Sequence, residues 1–201
     1  MMALPPDVTR PAQVARALTR WMGAAPDRSP FLQAAMHYCH RPLVEEASAP
    51  MMFGTTYEPA WAALFEAMLE LAFLVLGAKG PLTTEAKDAF LSAVVGAFDP
   101  WGRETFLLTP HQVDALLADM EEQRADDGAE KRVRMVVRTV THANHQSEAL
   151  RIAAMMAHLL GPASALSREA LESFARGFGL DRAAADEALR EAERSLADAS
   201  G

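Results

Sequence analysis

The segment from Pro59 to Gly77 constrains the fold more than any other part of this chain. Large apolar side chains recur along it at intervals of three and four residues, which is the spacing of one helix face. Further apolar residues fill most of the remaining sides of the same predicted helix. Such a helix is stable only when other elements enclose it, so the fold is expected to form around it. The main face comprises Trp61, Leu64, Phe65, Met68, Ala72, Val75 and Leu76, with Leu69, Leu71 and Phe73 beside it.

The composition indicates that the surrounding elements are also helices. Half of the 201 residues are hydrophobic, but only 7% are aromatic, and alanine occupies 40 positions. Alanine has the highest helix propensity and is depleted in strands. The predicted fold class is therefore all-α.

Charge and cysteine content disfavour several classes of protein. The formal net charge of -8 argues against binding to nucleic acid, which requires a basic face. The single cysteine, Cys39, leaves no intrachain disulfide. The most apolar stretch, residues 71–78, is far shorter than the roughly 20 residues of a membrane-spanning helix. Residues 1–10 lack the basic and apolar pattern of a signal peptide, so we expect a cytoplasmic, bacterial protein without a transmembrane segment.

Capping residues divide the chain into further helices. Ser29-Pro30 predicts the start of a second N-terminal helix, and Thr109-Pro110 with Gln112 forms a capping-box pattern. Ser167 and Asp181 are predicted to cap the last two helices. Residues 42–58 show no sustained period and are interpreted as a connector. The predicted organisation is an N-terminal helical pair and connector over residues 1–56, followed by a main helical domain over residues 57–201.

Two parts of the main domain resemble each other. A fixed offset of 84 residues pairs Thr83 with Ser167 and Phe90 with Phe174. Further along, an offset of 72 pairs residues 108–117 with residues 180–189, which predicts a 12-residue insertion in the first copy. The loop residues Leu82 and Leu166 are expected to pack between the helices that they join.

A basic helix is predicted between the two copies. Val133, Val136, Val137 and Val140 are expected to face inward, and the basic residues are interpreted as a solvated outer face. Those outer residues are Lys131, Arg132, Arg134 and Arg138.

The stretch from Glu148 to Leu189 resembles the TerB-like tellurite-resistance family. An alanine-rich helix, a loop and a capped helix precede the sequence Phe178-Gly-Leu-Asp181, which opens another helix. The likeness covers roughly residues 57–198. It implies a TerB-like helical bundle of two related three-helix halves, to which the first 56 residues add an N-terminal helical extension. It also implies a non-enzymatic bacterial interaction or scaffold protein, linked to tellurite resistance or stress response.

The repeated loops bear on metal binding. In metal-binding members of the family the loop reads approximately Asp-Gly-x-Ile-Ser-x-Glu-Glu, but here only Glu85 and Glu169 remain of its acids. A hard divalent cation prefers about six oxygen ligands, so no metal or other cofactor is predicted. Both glutamates are interpreted as first-turn residues that favour the positive end of a helix dipole.

Two other functions remain open as alternatives. A diverged divalent-metal site would combine His37 and His40, which lie three residues apart, with Glu85 or Glu169. A thiol-dependent enzyme would use Cys39 as nucleophile beside these two histidines.

The N-terminal segment is the predicted partner surface, because the resembling domain does not require it. Its apolar candidates are Trp21, Phe31, Met51, Met52 and Phe53. We expect a protein partner or self-association, with peripheral membrane association as an alternative. Removal of residues 1–50 is expected to leave a folded bundle that no longer associates.

Overall fold

A computed structural model describes residues 9–24, 29–47, 58–101 and 108–199, and the side chains within them except those of residues 40–47 and 101. These residues form an all-α structure that contains no strand in the described ranges. The predicted fold class is therefore confirmed.

Nine α-helices follow one another in the described part of the chain. They are α1 (Arg10–Ala24), α2 (Pro30–Ala47), α3 (Pro59–Leu76), α4 (Thr84–Phe98), α5 (Pro110–Asp127), α6 (Ala129–Thr139), α7 (Ala143–Ala157), α8 (Ala165–Gly177) and α9 (Arg182–Ala199). Short 3-10 turns at Gly77–Lys79 and Asp99–Trp101 follow α3 and α4.

Helices α3 and α7 lie at the centre of the bundle. Helix α3 packs against α2, α5, α6, α7 and α8, while α7 also contacts α1, α2, α8 and α9. Residues 59–79 are long and apolar enough to cross a membrane by length and composition alone, but 72% of that window is buried inside the protein. The burial agrees with the expectation that other elements enclose this helix.

One charged pair interrupts this apolar centre. Glu70 of α3 and Arg132 of α6 are 7% and 8% exposed. The guanidinium donates to both carboxylate oxygens, with Nε–Oε1 and Nη2–Oε2 distances of 2.6 and 2.7 Å. Its Nη1 also donates to Asp127 at 3.2 Å. The prediction that Arg132 belongs to a solvated face is therefore wrong, because its charge is neutralised inside the protein.

The N-terminal pair shares a single hydrophobic core with the rest of the bundle. Val14, Leu18 and Met22 of α1 are 1% exposed or less, and they belong to the same cluster as the buried residues of α3 and α7. Helix α1 packs on α4 and α9, and α2 packs on α3 and α7. The predicted extension is thus part of the core in the region that the structure describes.

Most predicted helix caps are present. The Ser29 hydroxyl accepts from the Leu32 backbone N–H at 3.2 Å, and Thr109 forms a complete capping box with Gln112. Asp181 accepts from the Ala184 N–H at 3.1 Å. These caps depend on side chains within three residues, which is why the local sequence predicts them.

The cap of α8 differs from its prediction. Ser164, not Ser167, caps α8 and accepts from the Ser167 N–H at 3.1 Å. The corresponding cap of α4 is Thr83, and each cap follows a Gly-Pro pair whose glycine has a positive φ, 143° at Gly80 and 136° at Gly161. The two loops therefore correspond at an offset of 81, not 84.

The shifted register changes two further expectations. Because the later helices keep their offset of 72, the two pairs of caps indicate an insertion of nine residues instead of 12. Leu82 is buried as expected, but Leu166 lies in the first turn of α8 and is 45% exposed. Ala163 occupies the place that corresponds to Leu82 and is 8% exposed.

Candidate binding cleft

A cleft of about 980 Å³ runs between α1 and α4 on the surface of the bundle. Leu159 and Leu160, which follow α7, also line it. Leu160 is 53% exposed, so a large apolar side chain is available at this site. The lining spans residues 10–20 of α1 and residues 85–96 of α4, and eleven to twelve helical residues correspond to a length of roughly 16–18 Å.

Small residues form the floor of the cleft. A Cβ added at Gly96 would lie 3.1 Å from the Cβ of Ala15, so the two helix backbones approach closely here. The Thr19 hydroxyl donates to the Ala97 carbonyl oxygen at 2.9 Å and fixes the two helices together. Short side chains at this contact leave an open trough above it. The other small lining residues are Ala12, Ala89 and Ser92.

The two walls of the cleft carry opposite charges. The α1 wall contributes Arg16 and Arg20, and the α4 side contributes Glu85, Asp88 and Asp99. Arg20 donates to the Asp198 carbonyl oxygen of α9. Arg16 and the three carboxylates are exposed and make no ion pair within the described residues. Their hydrogen-bonding capacity is therefore available to a molecule in the cleft.

The neighbouring lysine does not neutralise the acidic wall. Lys87 of α4 instead pairs with Glu121 of α5 at 2.6 Å. The acidic wall thus keeps its negative charge beside the basic wall, and a ligand with matching charges would be oriented across the cleft.

The polar groups that line the cleft are mainly hydroxyls, carboxylates and guanidinium groups. Its described lining contains threonine and serine hydroxyls but no histidine or cysteine that would activate one of them. What it offers is an apolar floor between charged rims, the usual arrangement of a recognition surface.

The metal candidates are not brought together. Glu85 lies in the first turn of α4, as expected, and faces the cleft. Glu169 is exposed on α8, beyond its first turn, so the dipole interpretation is wrong for this residue. The side chain of His40 lies outside the described residues. Among those described, no three histidine, cysteine or acidic residues form a group suited to a metal ion.

His37 has a different environment from the one expected of a ligand. Its Nδ1 accepts from the Glu58 backbone N–H at 3.2 Å, and its ring stacks on Trp61 at 6.0 Å between centroids. Trp61 also contacts His145 at 5.4 Å. These contacts connect the middle of α2 to α3 and α7.

Only Trp21 and Phe31 of the predicted partner residues lie in the described part of the chain, and they do not form an exposed surface together. Phe31 is 1% exposed and stacks on Phe65 at 5.2 Å, so its assignment to an exposed surface is wrong. Trp21 is half-buried, with the guanidinium carbon of Arg151 at 4.7 Å from its ring centroid. Met51, Met52 and Phe53 lie outside the described residues.

Cys39 has the properties of a core residue. It is 9% exposed, and burial raises the pKa of its thiol to about 12. The nucleophilic form of cysteine is the thiolate, which this environment disfavours at neutral pH. The geometry therefore gives no support to the thiol-dependent alternative.

Comparison with protein-family models, curated proteins and solved structures gives no match for this chain. The class that its structure defines is an all-α bundle with two central helices and a surface cleft of mixed charge.

One signal for the cleft is present in the sequence outside the motifs described above. Helix α1 carries three arginines and no acidic residue, which is unusual in a chain with a net charge of -8. Its opposite wall comes from residues about 70 positions away, so the juxtaposition requires the tertiary structure.

Proposed function

We propose that this protein is a non-enzymatic helical binding module that docks an amphipathic helix of a protein partner in the α1/α4 cleft. The observation that carries the proposal is the pair of oppositely charged walls above an apolar floor, in which Arg16 and the three carboxylates make no ion pair with any residue that the structure describes. As the TerB-like resemblance implies, the proposed setting is a scaffold in the bacterial cytoplasm, linked to stress response or tellurite resistance.

The charges of the cleft define the partner. Its helix carries acidic residues along the edge that faces Arg16 and basic residues along the edge that faces Asp88, with small or apolar residues between them. The length of the cleft suits about 10–14 helical residues. Leu160 extends the apolar contact, because most of the affinity of such grooves comes from desolvated apolar anchors.

The test uses synthetic helical peptides of about 14 residues. One peptide has an acidic and a basic edge around an alanine and leucine face, and two controls have both edges acidic or both basic. We expect the mixed-edge peptide to bind more tightly than either control in fluorescence anisotropy at low salt. Comparable binding of all three peptides would contradict the charge-directed mode of docking.

Variants of the protein test the same point from the other side. Arg16→Asp combined with Asp88→Arg exchanges the wall charges, and we expect roughly tenfold weaker binding of the mixed-edge peptide, since several exposed pairs of up to about 1 kcal/mol become repulsive. Arg138→Glu and Asp119→Arg are matched controls on exposed positions of α6 and α5, and they should leave binding unchanged. Light scattering without peptide shows whether a second copy occupies the cleft instead, which would contradict a heterologous partner.

A further inference from the structure

A second concave site lies where α1, α2 and α7 meet, separate from the α1/α4 cleft. It is a pocket of about 250 Å³, lined by Trp21, Ser29, Asn144, Ser147, Glu148 and Arg151 among others. Its size is below the range of sites for drug-sized molecules, which are about 300–1,000 Å³. The pocket would therefore hold only a small molecule, and its lining is rich in polar groups.

Glu148 is the most informative residue of this pocket. Its side chain is 6% exposed, and its Oε1 accepts from the Ser29 hydroxyl at 2.6 Å and from the Phe31 N–H at 3.1 Å. Its Oε2 has no partner in the described part of the chain. That oxygen is not among the fully enclosed unpartnered atoms there either, so it opens onto the pocket. An acceptor of this kind is costly to bury unless something donates to it.

Arg151 supplies a donor on the same face of α7. It lies three residues after Glu148, a spacing that places two side chains side by side on a helix. Its Nε and Nη2 donate to the Glu191 carboxylate at 2.5 and 3.4 Å, whereas its Nη1 makes no hydrogen bond in the described structure. Trp21 covers the guanidinium at 4.7 Å and holds it in place.

The remaining polar groups of the pocket suit a ligand that carries two functional groups, one cationic and one anionic. The side chains of Asn144 and Ser147 make no hydrogen bond within the described residues and line the same pocket. With Glu191 on its far side, Arg151 is neutralised, so Glu148 leaves the pocket with a net negative charge that favours a cation. The free Nη1 and the Asn144 amide are donors that suit a carboxylate.

We propose that this pocket binds a small free α-amino acid. The ammonium group of the ligand donates to Oε2 of Glu148, and its carboxylate accepts from Nη1 of Arg151 and from the Asn144 amide. A simple amine or a simple carboxylate satisfies only one of these two ends. The zwitterion is therefore the smallest ligand class that satisfies both.

The first experiment compares three probes by calorimetry and thermal unfolding. L-alanine is expected to bind saturably and to raise Tm with concentration, whereas methylammonium and acetate at the same concentrations should have less than one-tenth of its effect. No binding of L-alanine up to tens of millimolar would overturn the proposal. Equal binding of methylammonium would also overturn it, because only the acidic end would then be recognised.

The second experiment uses Glu148→Gln. The glutamine oxygen can still accept from Ser29 and Phe31, so the fold is retained, but the charge that holds the ammonium is lost. We expect at least tenfold weaker binding of L-alanine, with Glu122→Gln on the exposed side of α5 as the unaffected control. Unchanged binding in a folded Glu148→Gln protein would refute the assignment.

Ser147→Ala and the tryptophan signal provide a check that does not depend on Glu148. Removal of this hydroxyl leaves the hydrogen bonds of Glu148 to Ser29 and Phe31 and those of Arg151 to Glu191 intact, and a modest loss of affinity, about twofold to fivefold, is expected. Trp21 lies in the pocket wall, so L-alanine should change the tryptophan emission of the wild type but not of Trp21→Phe. An emission change that persists in Trp21→Phe would place the ligand elsewhere and overturn the proposal.

Discussion

The two central helices each bury one glutamate, and they use it in different ways. Glu70 of α3 and Glu148 of α7 are 7% and 6% exposed. Both oxygens of Glu70 accept from Arg132, whereas within the described ranges only Oε1 of Glu148 has partners, Ser29 and Phe31. The first carboxylate is fully satisfied and holds helices together, while the second holds a helix start and keeps one oxygen free for a ligand.

Among the changes that test this difference between Glu148 and Glu70, removal of the N-terminal helices should have the largest effect on stability. Deletion of residues 1–50 removes both hydrogen-bond partners of Glu148, Ser29 and Phe31, but leaves Arg132, the partner of Glu70, in place. It also exposes the core surface covered by Val14, Leu18 and Met22, along with that covered by α2. Each buried side chain of this kind contributes about 1.5–3 kcal/mol, so the total approaches the 5–15 kcal/mol stability typical of a domain.

We therefore expect the truncated chain to lose cooperative unfolding in urea, in contrast to the expectation from the sequence. Circular dichroism and tryptophan fluorescence followed on the same samples would check this. A single sharp transition in the truncated protein would show that residues 51–201 fold alone and that the buried Glu148 carboxylate does not need Ser29 and Phe31.

Breaking the buried ion pair between Glu70 and Arg132 should have the next largest effect on stability. Arg132→Met leaves the Glu70 carboxylate buried without its main partner, which costs about 3–5 kcal/mol. The double variant Glu70→Leu with Arg132→Met removes both charges and should recover most of that loss. The control is Lys87→Met, which breaks a partly exposed pair and should cost about 1 kcal/mol or less. Similar losses for Arg132→Met and Lys87→Met in urea titrations would contradict the role of Glu70 as a buried, neutralised charge.

The Glu148 carboxylate should make a smaller contribution to stability, and this contribution depends on pH. Burial raises the pKa of Glu148 above its ordinary value of 4.5, despite the hydrogen bonds from Ser29 and Phe31 and the nearby Arg151 charge, which lower it. The folded state therefore holds this proton more tightly than the unfolded state. Its contribution to stability is fully present below pH 4.5 and is lost as pH rises through the folded pKa.

Glu148→Gln removes that titration without removing the acceptor. The Tm of the variant relative to wild type is expected to increase as pH rises above about 4.5 and to be constant at lower pH. Differential scanning calorimetry at several pH values measures this difference. A Tm difference that decreases with rising pH would mean that Glu148 is stabilised in its charged form.

The sequence predicts those features that depend on neighbouring residues. The all-α class follows from composition and helical spacing, and the caps at Ser29, Thr109 and Asp181 follow from contacts with backbone groups three residues away. The cap at Ser164 was missed because the repeat was aligned on Phe90 and Phe174. The loops correspond instead through their Gly-Pro pairs.

Features that join distant parts of the chain were not predictable in the same way. Arg132 follows the pattern of an outer residue on its own helix, and only the position of Glu70, 62 residues earlier, explains its burial. Phe31 reads as a candidate contact residue until α3 and α4 place Phe65 and Phe98 against it. The cleft likewise depends on the packing of α1 against α4.

The bond between Ser29 and Glu148 also bears on synthesis of the chain. These residues are 119 positions apart, and translation proceeds at roughly 5–20 residues per second, so the carboxylate follows the serine by about 6–24 s. During that interval α1 and α2 can pack on α4 and α3, but they lack α7 and α9, which cover the rest of their apolar surface in the finished protein. That remaining apolar surface is thus exposed on the ribosome for seconds, a period in which a chaperone would protect it from aggregation.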